Sequence, residues 1–192
     1  MALHRRDTRS EQTEMKFKQN LISLSETKPI NKITVAELCK KSEVNRGTFY
    51  NHFSDIDDVI DRIENDIFLQ VKENLDNIKL FSFDEKFFRD IIQIIKSNLR
   101  VLRAIAKDNI VQNNLLRKVY EYARKKYIKD LTEYSTNVSE KEAEDLFTYT
   151  FGGSIGLFVS GLKEPFSLDD AAKKADYHNG IIVRQFLKDK KI

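Results

Sequence analysis

The sequence predicts an all-α chain, with a short three-helix N-terminal domain built around a helix-turn-helix and a longer C-terminal helical bundle. Three observations carry that reading. Apolar residues recur at helical spacing almost throughout. No segment sustains the period-two alternation that a half-buried strand needs. The only two prolines, Pro29 and Pro165, fall between the periodic segments.

The first helix, from about Ser10 to Glu26, sets Phe17, Leu21 and Leu24 on one face, and Lys28-Pro29 ends it. A short second helix starts at Thr34, whose hydroxyl can take an open backbone N–H while Glu37 reaches back, the reciprocal capping box. It ends near Ser42. After a tight turn, Asn45 can cap a third short helix ending near Phe53, and Ser54 with Asp57 repeats the box to open a fourth. That fourth helix carries one continuous apolar stripe, Ile56, Val59, Ile60, Ile63, Ile67, Val71, Leu75 and Ile78. Further core faces follow at Phe88, Ile91, Ile95 and Leu99, then at Leu116, Val119, Ala123, Tyr127 and Leu131. Two last helices run from about Ser139 to Lys163 and from about Ser167 to Lys188, parted by Glu164-Pro165-Phe166. The expected domain boundary lies between residues 54 and 55.

Hydrophobic residues make up 41% of the 192, enough for packed cores without covalent staples, and the single cysteine, Cys39, excludes an internal disulfide framework. Cys39 reads as a small buried hydrophobe. No signal segment opens the chain at Met1, so a cytoplasmic protein is expected. The longest uncharged stretch, Leu146 to Leu162, carries Thr148, Thr150, Ser154, Ser160 and several glycines, which suits a packed helix; no membrane partner is expected. The net charge of +3 is unevenly placed. Residues 1 to 53 hold ten Lys and Arg against six Asp and Glu, while the remainder is balanced, so the basic surface a polyanion requires sits at the N-terminal end. Gly-rich phosphate loops, nucleophile elbows, paired-cysteine spacings and HExxH are all missing, so neither catalysis nor a cofactor nor a metal is expected. The run Asp57, Asp58, Asp61 and Glu64 reads as a solvated face.

Two short capped helices joined by a tight turn suit a module that lays its second helix in the major groove of duplex DNA. Arg46 can pair with phosphate or donate twice to a guanine edge, and Thr48 and Asn51 can bond bases or phosphate. Gly47 removes a side chain where backbone approaches DNA, and Tyr50 and His52 bring polar tips on flat bodies. Val35, Leu38, Cys39, Val44, Phe49 and Phe53 would form the small core that fixes the angle between the two helices.

The runs Ile33-Thr34-Val35-Ala36-Glu37-Leu38-Cys39 and Val44-Asn45-Arg46-Gly47-Thr48-Phe49-Tyr50-Asn51-His52-Phe53 resemble the motif of the tetracycline-repressor (TetR) family of transcriptional regulators. The resemblance is close over the first quarter of the chain and extends to the rest only in length and helical pattern. It implies a homodimer on a near-palindromic DNA operator, commonly released when a small molecule enters the C-terminal domain. Carried over by position, Thr34 would touch phosphate, Asn45, Arg46, Thr48 and Asn51 would face the groove, and Tyr50 and His52 would hold the backbone. This chain departs from the pattern in having Glu43 where the family turn usually has glycine, and Ile56 where it usually has a phosphate-binding lysine. With Asp55, Asp57 and Asp58 adjacent, the start of the fourth helix could repel DNA, although acids there also complement the helix dipole, the favoured reading. Arg5, Arg6, Arg9 or Lys16 could compensate, from a tail that is solvated and disordered off DNA.

In the C-terminal domain Gly152, Gly156 and Ser160 recur at four-residue intervals and mark a close helix contact. By the resemblance, the last two helices form a four-helix dimer interface, with apolar burial by Phe158, Leu162, Ile181, Ile182 and Phe186; an internal helix crossing is the competing reading. Tyr120, Phe147, Phe151 and His178 are the candidate lining of an effector pocket, with ordinary core packing as the competing reading. The leading function is a ligand-responsive dimeric repressor. The second is a DNA-binding activator whose C-terminal domain docks a protein partner in place of a small molecule.

Overall fold

A computed structural model describes residues 2–78, 85–103, 114–161 and 167–191. Every regular element among them is helical. The chain divides into two compact units, Met1–Asp66 with Arg100–Asn114, and Ile67–Leu99 with Leu115–Ile192.

The first unit contains α1 (Ala2–Ser25), a single 3-10 turn (Ile30–Lys32), α2 (Val35–Ser42), α3 (Arg46–Tyr50) and the opening turns of α4 (Ile56–Asp76). Helix α1 begins eight residues before the expected Ser10, so the basic segment read as a disordered tail is helical. No proline or glycine interrupts residues 1 to 25, and Ala2, Leu3, Arg5, Arg6 and Arg9 all favour helix. The side chains of Arg5 and Arg6 lie outside the described residues.

The caps at Thr34 and Asn45 form as the sequence predicts. The third does not. Asp55, not Ser54, stands before α4, and its carboxylate accepts the Asp58 N–H at 2.8 Å while Asp58 accepts the Ser54 N–H at 2.9 Å. Either residue can cap; starting one residue later presents Val59 and Ile63 to the core, where both are buried. Helix α3 is also shorter than expected, and the chain continues through a tight turn in which His52 and Phe53 both donate N–H to the Phe49 carbonyl, at 2.9 Å.

Three aromatic rings fill the centre of this unit. Phe17 meets Phe49 edge-on at 5.3 Å and Phe53 at 6.0 Å, and Phe49 and Phe53 lie 5.7 Å apart. Leu21, Leu38, Cys39 and Val59 close around them and are buried, whereas Val35 and Val44 are half-buried. Burial pushes the Cys39 thiol up, so it stays protonated and packs as a hydrophobe.

The second unit contains the rest of α4, α5 (Glu85–Ser97), α6 (Asn114–Tyr134), α7 (Glu140–Gly161) and α8 (Leu168–Asp189). Its main core joins Leu75, Ala123, Tyr127, Leu131, Val138, Ala143, Leu146, Phe147 and Val183; a second cluster joins Phe88, Ile92, Ala172 and Ala175. On α5 Phe88, Ile92 and Ile94 are buried and the expected Ile91 is half-buried, because an unbroken apolar pair leaves the facing side to the partner helix, here α8, against which Phe88 and Ile92 pack. The Glu164-Pro165-Phe166 break and Leu162 lie outside the described residues.

Helices α7 and α8 are tied in two ways. Asn179, buried, donates to Ser154 Oγ at 2.8 Å, a polar pair that fixes their register. Gly161 allows close approach: a Cβ there would meet Leu168 Cδ2 at 3.1 Å, Leu168 Cα at 3.2 Å and Ala171 Cβ at 3.3 Å. We expect Gly161→Ala to destabilise by about 1 kcal/mol net, overpacking outweighing the gain in helix propensity. A urea midpoint equal to or above that of the parent would show that this contact relaxes freely.

Candidate nucleic-acid interface

The second helix of the motif is held by its own ends. Asn45 Oδ1 accepts the Thr48 N–H at 2.7 Å, which leaves the amide group of Asn45 free to donate. Gly47 is tied to this cap, since a Cβ there would come within 3.3 Å of Asn45 Oδ1. Arg46, Gly47, Tyr50 and Asn51 are exposed and Thr48 is half-buried, so α3 presents a polar surface over a fully buried Phe49.

Arg46 carries no ion pair with any described residue, and the same is true of exposed Lys32, Lys40 and Lys41. Lys40 and Lys41, in the last turn of α2, escaped the sequence reading. Their signal was present: two adjacent lysines one turn before Asn45, on a helix whose apolar positions are already taken by Leu38 and Cys39.

Two of the expected contacts are otherwise engaged. The Thr34 hydroxyl donates to Glu37 Oε2 at 2.8 Å and accepts the Glu37 N–H at 3.3 Å. The carboxylate of Glu37 is gripped by Lys28 Nζ at 2.7 Å and by Thr34, which together lower its pKa from 4.5 to about 2. Thr34 could reach a phosphate only by turning its proton away from Glu37. His52 is turned towards α1, with Nδ1 3.4 Å from Glu14 Oε1.

The turn between α2 and α3 closes on Glu43, which adopts φ 52° and ψ 39°, while the Val44 N–H returns to the Cys39 carbonyl at 3.1 Å. This is the left-handed helix end that glycine fills without strain. The carboxylate of Glu43 is largely exposed, with Lys16 Nζ at 3.8 Å. Replacing it should relieve the backbone: we expect Glu43→Gly to stabilise the first unit by about 1 kcal/mol, read as a raised urea midpoint. A lowered midpoint would show that the Lys16 pair outweighs the strain.

This architecture matches solved structures. A TetR/AcrR-family transcriptional regulator from Aquifex aeolicus superposes with a TM-score of 0.70 at 18% identity, over 88% of this chain and 99% of that one. The dihydroxyacetone kinase operon activator DhaS superposes at 0.69 and 15% identity, over 90% and 96%, and a TetR-family regulator from Streptomyces coelicolor at 0.57 and 16%, over 90% and 89%. The chain has the TetR fold. No protein-family model matches it, and no curated protein matches it in sequence, so the likeness is one of architecture.

Within that TetR fold the start of α4 is where the acids gather. Asp55 and Asp58 are occupied as caps, and Asp58 also lies 3.4 Å from Arg62 Nε, so these carboxylates serve the helix end. Ile56 is half-buried.

The C-terminal candidates separate. Tyr120, Phe147 and Phe151 meet tilted or edge-on with centroids 5.0 to 5.4 Å apart and pack in the main core, whereas His178 is exposed and lies against Tyr177. The buried face of α8 runs through Ala171, Ala175, Asn179 and Val183, which leaves His178 outside it. Of the interface candidates, Gly152, Gly156, Ser160 and Ile181 are exposed, and among the described residues nothing lies within 4 Å of a Cβ built on either glycine. Phe158, Ile182 and Phe186 face the other way, half-buried against the chain's own core, because helical spacing does not say which neighbour covers an apolar face. Tyr149 on α7 and Tyr177 on α8, which the sequence reading did not single out, are 70% and 63% exposed. Among the described residues no group of three His, Cys, Asp or Glu is placed to hold a metal ion, and no helix is long and apolar enough to cross a membrane.

Proposed function

We propose that the protein is a cytoplasmic, sequence-specific DNA-binding transcriptional regulator of the TetR type, acting as a homodimer and most simply as a repressor released by a small molecule. The observation that carries this reading is Arg46: exposed, with no ion pair to any described residue, at the start of a capped helix whose far side is locked into an aromatic core. The residues that would read or grip DNA are Asn45, Arg46, Gly47, Thr48, Tyr50, Asn51 and His52, with Thr34, Lys40 and Lys41 on phosphate. The division of labour would fall between residues 54 and 55. Dimerisation would use the open face of Gly152, Gly156, Ser160 and Ile181, and would set the two recognition helices about 34 to 36 Å apart, one helical turn of DNA.

The test is binding of the purified protein to duplexes from the DNA flanking its own gene, across a salt series with nonspecific competitor. Tight, salt-sensitive binding to one near-palindromic duplex is expected. A folded protein that binds none of them more tightly than competitor would refute the reading.

The second reading, an activator that docks a protein partner, is supported by the fold neighbour described as an operon activator. A protein that stays monomeric at high concentration, with Tyr149, Tyr177 and Ile181 still exposed, would favour it.

A further inference from the structure

Arg62 lies on α4, outside the helix-turn-helix, and each nitrogen of its guanidinium has a different partner. Nη2 donates to the His52 backbone carbonyl at 3.0 Å, Nη1 lies 3.5 Å from Glu14 Oε1 on α1, and Nε lies 3.4 Å from Asp58 Oδ1, one turn back on α4. The guanidinium carbon sits 5.2 Å from the centroid of the Phe53 ring. Asp58 in turn accepts the Ser54 N–H at 2.9 Å, so the chain leaving α3 is braced at His52, Phe53 and Ser54.

Helix α3 has five residues, too few to hold itself. Its start is fixed by the Asn45 cap and its inner side by Phe49. The last carbonyls of a helix find no partner within it, and just beyond this end the His52 carbonyl is taken from α4 by Arg62. Arginine suits the task because its N–H groups radiate from one rigid plane, so a single side chain holds three groups at fixed angles; a lysine carries the charge without the fork. Arg62 is nearly half exposed, so its ion pairs add little to global stability, and what the clamp supplies is direction. The acids Glu14 and Asp58 acquire a use beside a polyanion site, since both orient Arg62.

Resting on the DNA-binding reading above, we propose that Arg62 is the positioning residue of the recognition helix, clamping its far end to α1 and α4 so that Asn45, Arg46, Thr48 and Asn51 meet base edges at one fixed angle. Base contacts depend on that angle, whereas phosphate contacts tolerate its loosening. Arg62 therefore contributes to sequence preference without touching DNA.

Arg62→Lys, which keeps the charge beside both acids, tests this in two ways. In the DNA-free protein the His52 and Phe53 amides, both donors to the Phe49 carbonyl, should exchange with solvent about threefold faster or more, while the Leu21 amide of the α1 core keeps the parent's rate. Unchanged exchange at His52 and Phe53, or equal acceleration at all three, overturns the clamp. In the second, two probes are compared at about 50 mM salt: the flanking duplex that the parent binds most tightly, and a mixed-sequence duplex of about 30 bp. Affinity for the first should fall about fivefold or more, the low end of what one misread base pair costs, and affinity for the second should stay within about twofold. An equal fall on both duplexes would make Arg62 a phosphate contact, and no fall on either would make it a surface ion pair; each overturns the proposal. A parent protein that binds the two duplexes alike, while amide exchange still responds to Arg62, overturns the sequence-specific DNA-binding reading and the positioning role with it.

Discussion

Phe49→Ala is expected to destabilise the first unit by about 3–5 kcal/mol, the cost of emptying a fully packed aromatic site. Phe49 is fully buried and touches Phe17 from α1, Phe53 beyond α3 and, edge-on, Tyr50. Phe17 and Phe53 close the same three-ring cluster, 6.0 Å apart. A loss of that size is a large share of a typical domain stability of about 5–15 kcal/mol. Helix α3 has too few residues to hold itself, so it should lose order with the core. Urea unfolding followed by amide resonances of α2 and α3 would show it, with Phe49→Leu as the milder partner. An unchanged midpoint in Phe49→Ala would mean that the three rings are not what orders the module.

Arg46→Ala should do the opposite, leaving the fold intact and removing function. The side chain is exposed and pairs with no described residue, so its effect on stability should stay within about 0.5 kcal/mol. If it reads a base, operator affinity should fall by about 1–3 kcal/mol, roughly 5- to 150-fold, with relaxed preference at one position. Lys40→Ala supplies the contrast, since loss of a phosphate contact should weaken every sequence alike and reduce the salt slope by about 1. Competition binding against single-position operator variants separates the two. A uniform loss in Arg46→Ala would move Arg46 to the phosphate class, and no loss at all would remove it from the interface.

What could be read from the sequence was chemistry that closes within one helical turn. Thr34 with Glu37 and Asn45 with Thr48 join side chain to backbone three residues away, so residue types and spacing suffice to find them. Phe17, Leu21, Leu38 and Phe49 were also legible, since an apolar residue on one face of a short helix has one place to go. Choices set by tertiary partners stayed hidden. Ser54 and Asp55 are both competent caps, and the packing of Val59 and Ile63 decides between them. Ile182 and Phe186 repeat with the period of an interface, but their cover comes from the same chain. The Glu14, His52 and Arg62 group spans most of the first unit in sequence, and no local pattern announces it. Glu43 is the mixed case: the glutamate-for-glycine departure was visible, and its meaning as a left-handed residue waited for the backbone.

The bare face of α7 makes protein concentration a structural variable. Gly152, Gly153 and Gly156 together forgo about 2–3 kcal/mol of helix propensity relative to alanine. Among the described residues of the single chain nothing lies within 4 Å of where their side chains would be, and all three glycines are exposed. Order in this segment is therefore sensitive to mass action: any surface that binds the folded face shifts its equilibrium by an amount set by how much of that surface is present. A dilute and a crowded solution of the same chain are, at this helix, different samples.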